Sequence, residues 1–184
     1  MFLHKELTGF FMLIILLGVL AGCIKEGVET KEKESMEVIQ MEVSSSAFEH
    51  NQPIPGKYTC EGEDVSPPLA ISGVPGEAKS LALVVDDPDA PMGVFDHWIA
   101  WNLEPDTREL SEGVHVETQG KNDFGELRYR GPCPPPGPMH HYRFKVYALD
   151  AMLDLPRGAT KGQLEEAMEG HILAKGELVG TYKR

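Results

Sequence analysis

Residues 140–150 read HHYRFKVYALD, and aromatic or aliphatic side chains occupy every second position of most of this segment. Charged side chains fall between them. Because the side chains of a β-strand alternate between the two faces of a sheet, this pattern predicts a strand with one buried face. His140 and Tyr142 belong to the buried face, and His141 belongs to the exposed one.

Two more segments are predicted to be strands by the same alternation. Residues 94–103 (VFDHWIAWNL) place His97 on a face that is otherwise apolar. Residues 80–87 (SLALVVDD) place Asp87 on a face with leucine and valine. The opposite face is also mostly apolar, so the pattern is weaker evidence for which face is buried. In both segments the titratable side chain lies at or near the end of the strand.

The whole chain reads as short strands separated by turns. Weaker strand patterns occur at 36–43 and 177–182, and the 19 Gly and 14 Pro residues supply many turns. We therefore predict a mainly β fold, an antiparallel β-sandwich. One helix is predicted near residues 160–173, because Thr160 and Gln163 have the spacing of a capping box. Apolar side chains then recur at helical spacing at Leu164, Ala167, Met168, His171 and Ile172.

The charge of the chain excludes one class of partner. Among 184 residues there are 17 Lys or Arg and 29 Asp or Glu, which gives a net charge of −12. Such a chain lacks the basic surface that nucleic-acid binding needs. Anionic lipid surfaces would also repel it, so any membrane attachment must be covalent or hydrophobic.

The N-terminal residues resemble the signal of a lipoprotein. The run Phe10–Leu20 has no charge but is shorter than the roughly 20 apolar residues that a membrane span needs. It precedes the sequence LAGC, which ends at Cys23. We therefore expect residues 1–22 to be a signal peptide, Cys23 to be lipidated, residues 23–35 to be a charged tether and residues 36–184 to be the folded domain. The mature protein would then be anchored on the outer face of the cell membrane.

The two other cysteines leave two alternatives open. An exported chain could join Cys60 to Cys133 by a disulfide bond. Both residues could equally be free, buried thiols.

Asp87, His97 and His140 are predicted to meet in one cavity. Each lies on an apolar face at or near a strand end, and a buried ionisable group is costly unless it is paired. The alternative for each histidine is a core residue whose ring N–H is satisfied by the backbone.

Several motifs resemble the phosphatidylethanolamine-binding protein family, and most closely its bacterial and archaeal Raf-kinase-inhibitor-like branch. They are the stretch Asp87–Pro91 (DPDAP), then His97, then Gly131-Pro132, and then His140 with Tyr142. The resemblance extends over roughly residues 36–184. It implies two antiparallel sheets, a few peripheral helices and a small surface cavity that binds phosphate or a phospholipid head group.

By the same resemblance, the ligand-binding residues are Asp87, Asp89, His97, His140 and Tyr142. One departure is His141, where the family usually has arginine; that arginine either braces the loop or contacts the ligand. From the residue types, we expect Asp87 to raise the pKa of a neighbouring histidine, so that an imidazolium binds the anion. Asp89 would order its loop or face the amine of a zwitterionic ligand.

We therefore expect a membrane-anchored, extracytoplasmic protein that binds a small anion, with no cofactor and no resident metal ion. One alternative is an inhibitor of a partner protein such as a protease or kinase, since the family contains such members. A metal-dependent hydrolase is less favoured, although two histidines and two aspartates can ligate a metal. The sequence contains no Gly-x-Ser-x-Gly, His-Glu-x-x-His or P-loop motif.

Overall fold

Two β-sheets organise the chain in a computed structural model that describes residues 38–184. The predicted signal peptide, the lipidated Cys23 and the tether lie outside the described residues. Within them, no helix is long and apolar enough to cross a membrane. The strands are β1 (Ile39–Gln40), β2 (Glu42–Ser44), β3 (Gln52–Pro53), β4 (Leu69–Ser72), β5 (Ser80–Asp87), β6 (Phe95–Leu103), β7 (Glu109–Leu110), β8 (His140–Leu149) and β9 (Ile172–Tyr182). A 3-10 turn spans Gly56–Tyr58, and helix α1 spans Lys161–Met168.

The prediction of a mainly β, two-sheet sandwich is confirmed. The larger sheet has the order β1-β9-β8-β5-β6, with β3 also paired to β9, and the smaller sheet has the order β2-β4-β7. The inner faces of the two sheets share one apolar core. Pairing is antiparallel except where the short strands β1 and β3 run parallel to β9.

Helix α1 covers the other face of the larger sheet. Leu164 and Met168 of the helix pack with Val84, Ile99 and Trp101 in a second buried cluster. Both faces of the central strands β5 and β6 are therefore apolar, which explains why the alternation in their sequences is incomplete.

The predicted start of the helix is confirmed, but its predicted end is wrong. Thr160 caps the helix through the Gln163 backbone N–H, and the Gln163 side chain returns a hydrogen bond to the Thr160 backbone. The helix stops at Met168, before His171 and Ile172. Gly170 has a φ of +79°, a conformation that ends helices, and the chain then enters β9.

Strand β6 contains a β-bulge that changes which face His97 occupies. Val85 pairs with Trp98 and Asp86 pairs with Asp96, so β6 contributes one extra residue, His97, between these pairs. Strict alternation would have put His97 with Ile99 and Trp101, beneath the helix. The bulge instead keeps it on the same side as Tyr142, so the predicted face was wrong.

Candidate functional site

A cavity of about 570 Å³ opens at one end of the larger sheet. Because β5, β6 and β8 are antiparallel neighbours, the end of β5 lies beside the beginnings of β6 and β8. This arrangement brings Asp87, His97, His140 and Tyr142 together, as the sequence predicted. The rest of the wall is largely apolar, and it comes from residues 90–95, Phe124 and residues 133–135.

Asp87 and His140 form a buried hydrogen-bonded pair. His140 Nδ1 donates to Asp87 Oδ2 at 2.7 Å, and both side chains are almost completely buried. The other carboxylate oxygen, Oδ1, accepts the backbone N–H of Asp89 at 2.8 Å. Both oxygens of Asp87 are therefore engaged, and Asp87 sets the orientation of the His140 ring.

His97 is held by the backbone rather than by Asp87. Its Nδ1 lies 2.7 Å from the carbonyl oxygen of Arg130. Since a carbonyl can only accept, Nδ1 carries the proton, and Nε2 of the neutral ring is an acceptor. Burial lowers the pKa of His97 below its ordinary value, more than its neighbours raise it. This direction is opposite to the predicted imidazolium, because desolvation of the buried ring outweighs the Arg130 carbonyl and the charge of Asp87, which both favour protonation.

Tyr142 brings a hydroxyl donor into the cavity. The side chain is fully buried, and its hydroxyl lies near the Asp87 carboxylate but makes no hydrogen bond of regular geometry within residues 38–184. Burial raises the pKa of Tyr142 well above its ordinary value, and the charge of Asp87 adds to this effect. The Tyr142 ring packs edge-on against the His97 ring, with the centroids 5.2 Å apart. The phenol therefore remains protonated and able to donate to a ligand.

Asp89 is the predicted site residue that does not line the cavity. Its carboxylate accepts the backbone N–H of His141 at 2.9 Å and lies 2.7 Å from His141 Nδ1. The hydrogen bond from the His141 side chain is the main reason that the pKa of Asp89 is lowered. The pair thus ties the DPDAP loop to the start of β8.

Sequence reasoning missed Asp123 and Phe124 at the rim of the cavity. Asp123 Oδ2 accepts the backbone N–H of Asp96 at 2.7 Å. Phe124 packs against Phe95 and His97, with ring centroids 4.9 and 5.6 Å apart. Both residues lie in a long irregular segment, where the alternation of a strand gives no information. The only available signal was the turn-like sequence Asn122–Gly125 (NDFG).

The Pro-rich loop at residues 131–138 is attached to the body of the domain by a disulfide bond. Cys60 and Cys133 are joined, with Cα atoms 5.4 Å apart, so of the two alternatives the structure contains the disulfide. Gly131 passes so close to Tyr58 that an added Cβ would lie 2.2 Å from the Tyr58 carbonyl oxygen. Cys133 itself lines the cavity, so these attachments determine the position of one wall.

The polar side chains of the cavity wall include both hydrogen-bond donors and acceptors. Among residues 38–184, no three His, Cys, Asp or Glu side chains are grouped so that they could hold a metal ion. The polar groups of the wall that a ligand could meet are the Tyr142 hydroxyl, the imidazoles of His97 and His140, and the Asp123 carboxylate.

Comparisons with known proteins agree with this fold and arrangement. A family model described as phosphatidylethanolamine-binding protein matches residues 44–183. A UPF0098 protein of Pyrococcus horikoshii is 51% identical over 181 residues, covering 93% of this chain and 85% of that protein. A UPF0098 protein of Methanothermobacter thermautotrophicus is 52% identical over 151 residues, covering 78% of this chain and 99% of that protein.

Two crystal structures are also similar. One is a putative phosphatidylethanolamine-binding protein homologue, CT736, from Chlamydia trachomatis, with a TM-score of 0.76 and 49% identity over 79% of this chain and 98% of that one. The other is YbcL of E. coli, described as a new member of the mammalian PEBP family, with a TM-score of 0.73 and 29% identity over 79% and 99% of the two chains. With most of its length matched by the family model and by relatives of this identity, the chain belongs to the phosphatidylethanolamine-binding protein family.

Proposed function

We propose that the protein binds a small phosphate-bearing anion, either free phosphate or a phospholipid head group, in the cavity beside Asp87. The observation that carries this proposal is the buried Tyr142 hydroxyl, which has no hydrogen-bond partner within the described residues and belongs to the cavity wall. An unsatisfied buried donor is costly, and a ligand oxygen would satisfy it.

His140 complements this donor. Its Nδ1–H is committed to Asp87, so the ring is held rigidly and Nε2 is left for the ligand. When Nε2 is protonated, it donates to the anion while Asp87 balances the positive charge. The apolar wall around these groups strengthens their electrostatic interactions, because it excludes water.

Attraction of the anion must be local. The net charge of −12 repels anions at long range, so electrostatic steering does not assist binding. We therefore assign affinity to the donors inside the cavity, and we assign to Asp89 and His141 the task of holding the loop.

Titration calorimetry with inorganic phosphate tests the proposal. Tyr142→Phe should weaken phosphate binding about fivefold, since one hydrogen bond contributes about 1 kcal/mol. It should leave the free energy of unfolding unchanged or slightly higher, because an unsatisfied hydroxyl is removed. Tyr147→Phe is a matched control, since Tyr147 lies on the same strand but packs near the helix-side cluster. Equal phosphate affinity for wild type and Tyr142→Phe, or no phosphate binding by either, would contradict the proposal.

We also propose that the protein is a lipid-anchored, extracytoplasmic member of the Raf-kinase-inhibitor-like branch. The LAGC sequence ending at Cys23 supports the anchor, and the Cys60–Cys133 disulfide is typical of oxidising compartments. Relatives from archaea and from Chlamydia support the branch. Cys23→Ser should move the protein from the membrane fraction to the soluble fraction; retention in the membrane fraction would refute the lipid anchor.

A further inference from the structure

We infer that the cavity selects a phosphoryl group that still carries an acid proton, as in a phosphomonoester or free phosphate, and rejects oxyanions without one. This inference rests on the proposed function and narrows the class of ligand. A phosphodiester, such as the head group of an intact phospholipid, has no such proton and would bind less well.

The first observation is the direction of the hydrogen bonds of His97. Nδ1 donates to the Arg130 carbonyl, so in the neutral ring Nε2 can only accept. Nδ1 is engaged by the Arg130 carbonyl, so Nε2 is the ring nitrogen left to meet a ligand, and His97 belongs to the cavity wall. A ligand atom that meets Nε2 must therefore bring its own hydrogen.

The second observation is a second acceptor on the same cavity. The carboxylate of Asp123 is held at the rim through Oδ2, which accepts the Asp96 backbone N–H. Asp87 differs, because His140 and the Asp89 backbone already occupy its two oxygens. The cavity thus combines a donor, the Tyr142 hydroxyl, with acceptors at its base and rim. A protonated phosphoryl group needs both kinds of partner, whereas sulfate offers only acceptors.

The neighbours of His97 explain why it stays neutral. Asp87 faces it from β5, Tyr142 from β8, and Asp123 and the Arg130 carbonyl from the segment that follows β7. The negative charges favour protonation, but burial outweighs them and lowers the pKa of His97. Its Nε2 lone pair therefore remains available near neutral pH.

Methyl phosphate and methyl sulfate provide a matched pair of probes. As monoanions they have the same charge and nearly the same shape, but only methyl phosphate has an acid proton. A site that accepts a hydrogen bond from its ligand discriminates against an analogue that lacks this hydrogen. With methyl sulfate, His97 Nε2 would face a ligand oxygen and would remain an unpaired buried acceptor. Dimethyl phosphate, also without an acid proton, represents the phosphodiester of a phospholipid.

The experiment is titration calorimetry of the three probes on the wild-type protein near pH 6. We expect methyl phosphate to bind at least tenfold more tightly than methyl sulfate and dimethyl phosphate. Equal affinity for all three would overturn the inference and leave the proposed function standing. If methyl phosphate and dimethyl phosphate bind equally well and methyl sulfate binds more weakly, the inference is also overturned, in favour of a phospholipid head group. Binding of none of the three would overturn the proposed function itself, and the inference with it.

His97→Phe tests the assignment to this ring, because it keeps a ring but removes the acceptor. The preference for methyl phosphate over methyl sulfate should fall to within about threefold, while Tyr147→Phe should keep the full preference. An unchanged preference in a folded His97→Phe variant would contradict the assignment.

A pH series on the wild-type protein gives a second test that needs no variant. The second pKa of a phosphomonoester is about 6, so its protonated form declines above that pH. Affinity for methyl phosphate should then fall up to tenfold per pH unit, more steeply than affinity for methyl sulfate. Parallel losses of affinity for both probes would overturn the inference.

Discussion

His97 combines two interpretations that the sequence presented as alternatives. Its ring N–H is satisfied by the Arg130 carbonyl, as in a structural core histidine, yet the ring also lines the cavity. The sequence could not reveal this, because Arg130 lies in an irregular segment 33 residues further along the chain. A backbone partner of this kind determines the tautomer, and thereby whether the site donates or accepts.

The lowered pKa of His97 predicts how stability depends on pH. The unfolded protein binds a proton at His97 below about pH 6.5, but burial in the folded protein disfavours the charged ring. The free energy of unfolding should therefore decrease as the pH falls from about 6.5 towards the lowered pKa. Urea denaturation across this range should show a shallower decrease for His97→Gln than for wild type. His115→Gln replaces an exposed histidine and should keep the wild-type slope; equal slopes for all three proteins would refute the assignment.

Asp89 marks the point at which alternation stops being informative. Asp87 is the last residue of β5, and the sequence correctly placed it on the inner face. Asp89 lies beyond the strand, where the chain turns, so nothing in the pattern determines its direction. In the structure, hydrogen bonds from the backbone N–H and the side chain of His141 hold the Asp89 carboxylate.

At the scale of the strands, alternation predicts a face only while residues pair one to one. The inner face of β8 was predicted correctly, and it pairs regularly with β5 over its central residues. Strand β6 has two register irregularities, one at His97 and one near Asn102, which has a φ of +54°. His97 still lines the cavity, because the bulge turns its ring towards Tyr142.

Asp86 is a fully buried carboxylate on the helix side of the larger sheet. Arg143 and Lys145 donate to it at 2.7 and 2.6 Å, and Lys161 from the first turn of α1 lies 3.3 Å away. Burial alone would raise the pKa of Asp86, but the hydrogen bonds from Arg143 and Lys145 outweigh it and lower the pKa. The carboxylate therefore joins β5, β8 and α1.

Asp86→Asn should destabilise the protein by about 3 kcal/mol, since removing one partner leaves partly buried cations uncompensated. Chemical denaturation at neutral pH measures the loss, and phosphate affinity should stay within twofold of wild type because Asp86 lies outside the cavity wall. Asp154→Asn, at an exposed position, should cost less than 0.5 kcal/mol by the usual scale of surface substitutions. A loss below about 1 kcal/mol for Asp86→Asn would contradict this account of the network.

At the scale of the whole molecule, the sequence predicted the class of fold but not the division of its N-terminal strand. Residues 36–43 were expected to form one strand. Within the described part of this segment, the structure separates β1, which pairs with β9, from β2, which pairs with β4 in the other sheet, and Met41 lies between them. Such a division depends on which distant strands are available to pair, and no local pattern contains that information.

The disulfide acts at this same scale, because it closes a loop with a sequence separation of 73 residues. The double change Cys60→Ser with Cys133→Ser should lower the free energy of unfolding by about 4 kcal/mol in the chain-entropy description of cross-links. Because Cys133 lines the cavity, phosphate affinity should also fall. Urea denaturation with and without a reductant measures the first effect; a wild-type protein unaffected by full reduction would contradict it.

The parallel pairing of β1 with β9 has a kinetic consequence. Ile39 pairs with Ala174, so these strands can meet only after a segment of 135 residues has closed on itself. Such distant pairing slows refolding relative to proteins with local contacts. If the Cys60–Cys133 disulfide has already formed, the shortest covalent path between the strands is roughly 60 residues. The free-energy cost of closing this loop is then lower by about 0.7 kcal/mol. Oxidation before sheet closure should then speed refolding about threefold.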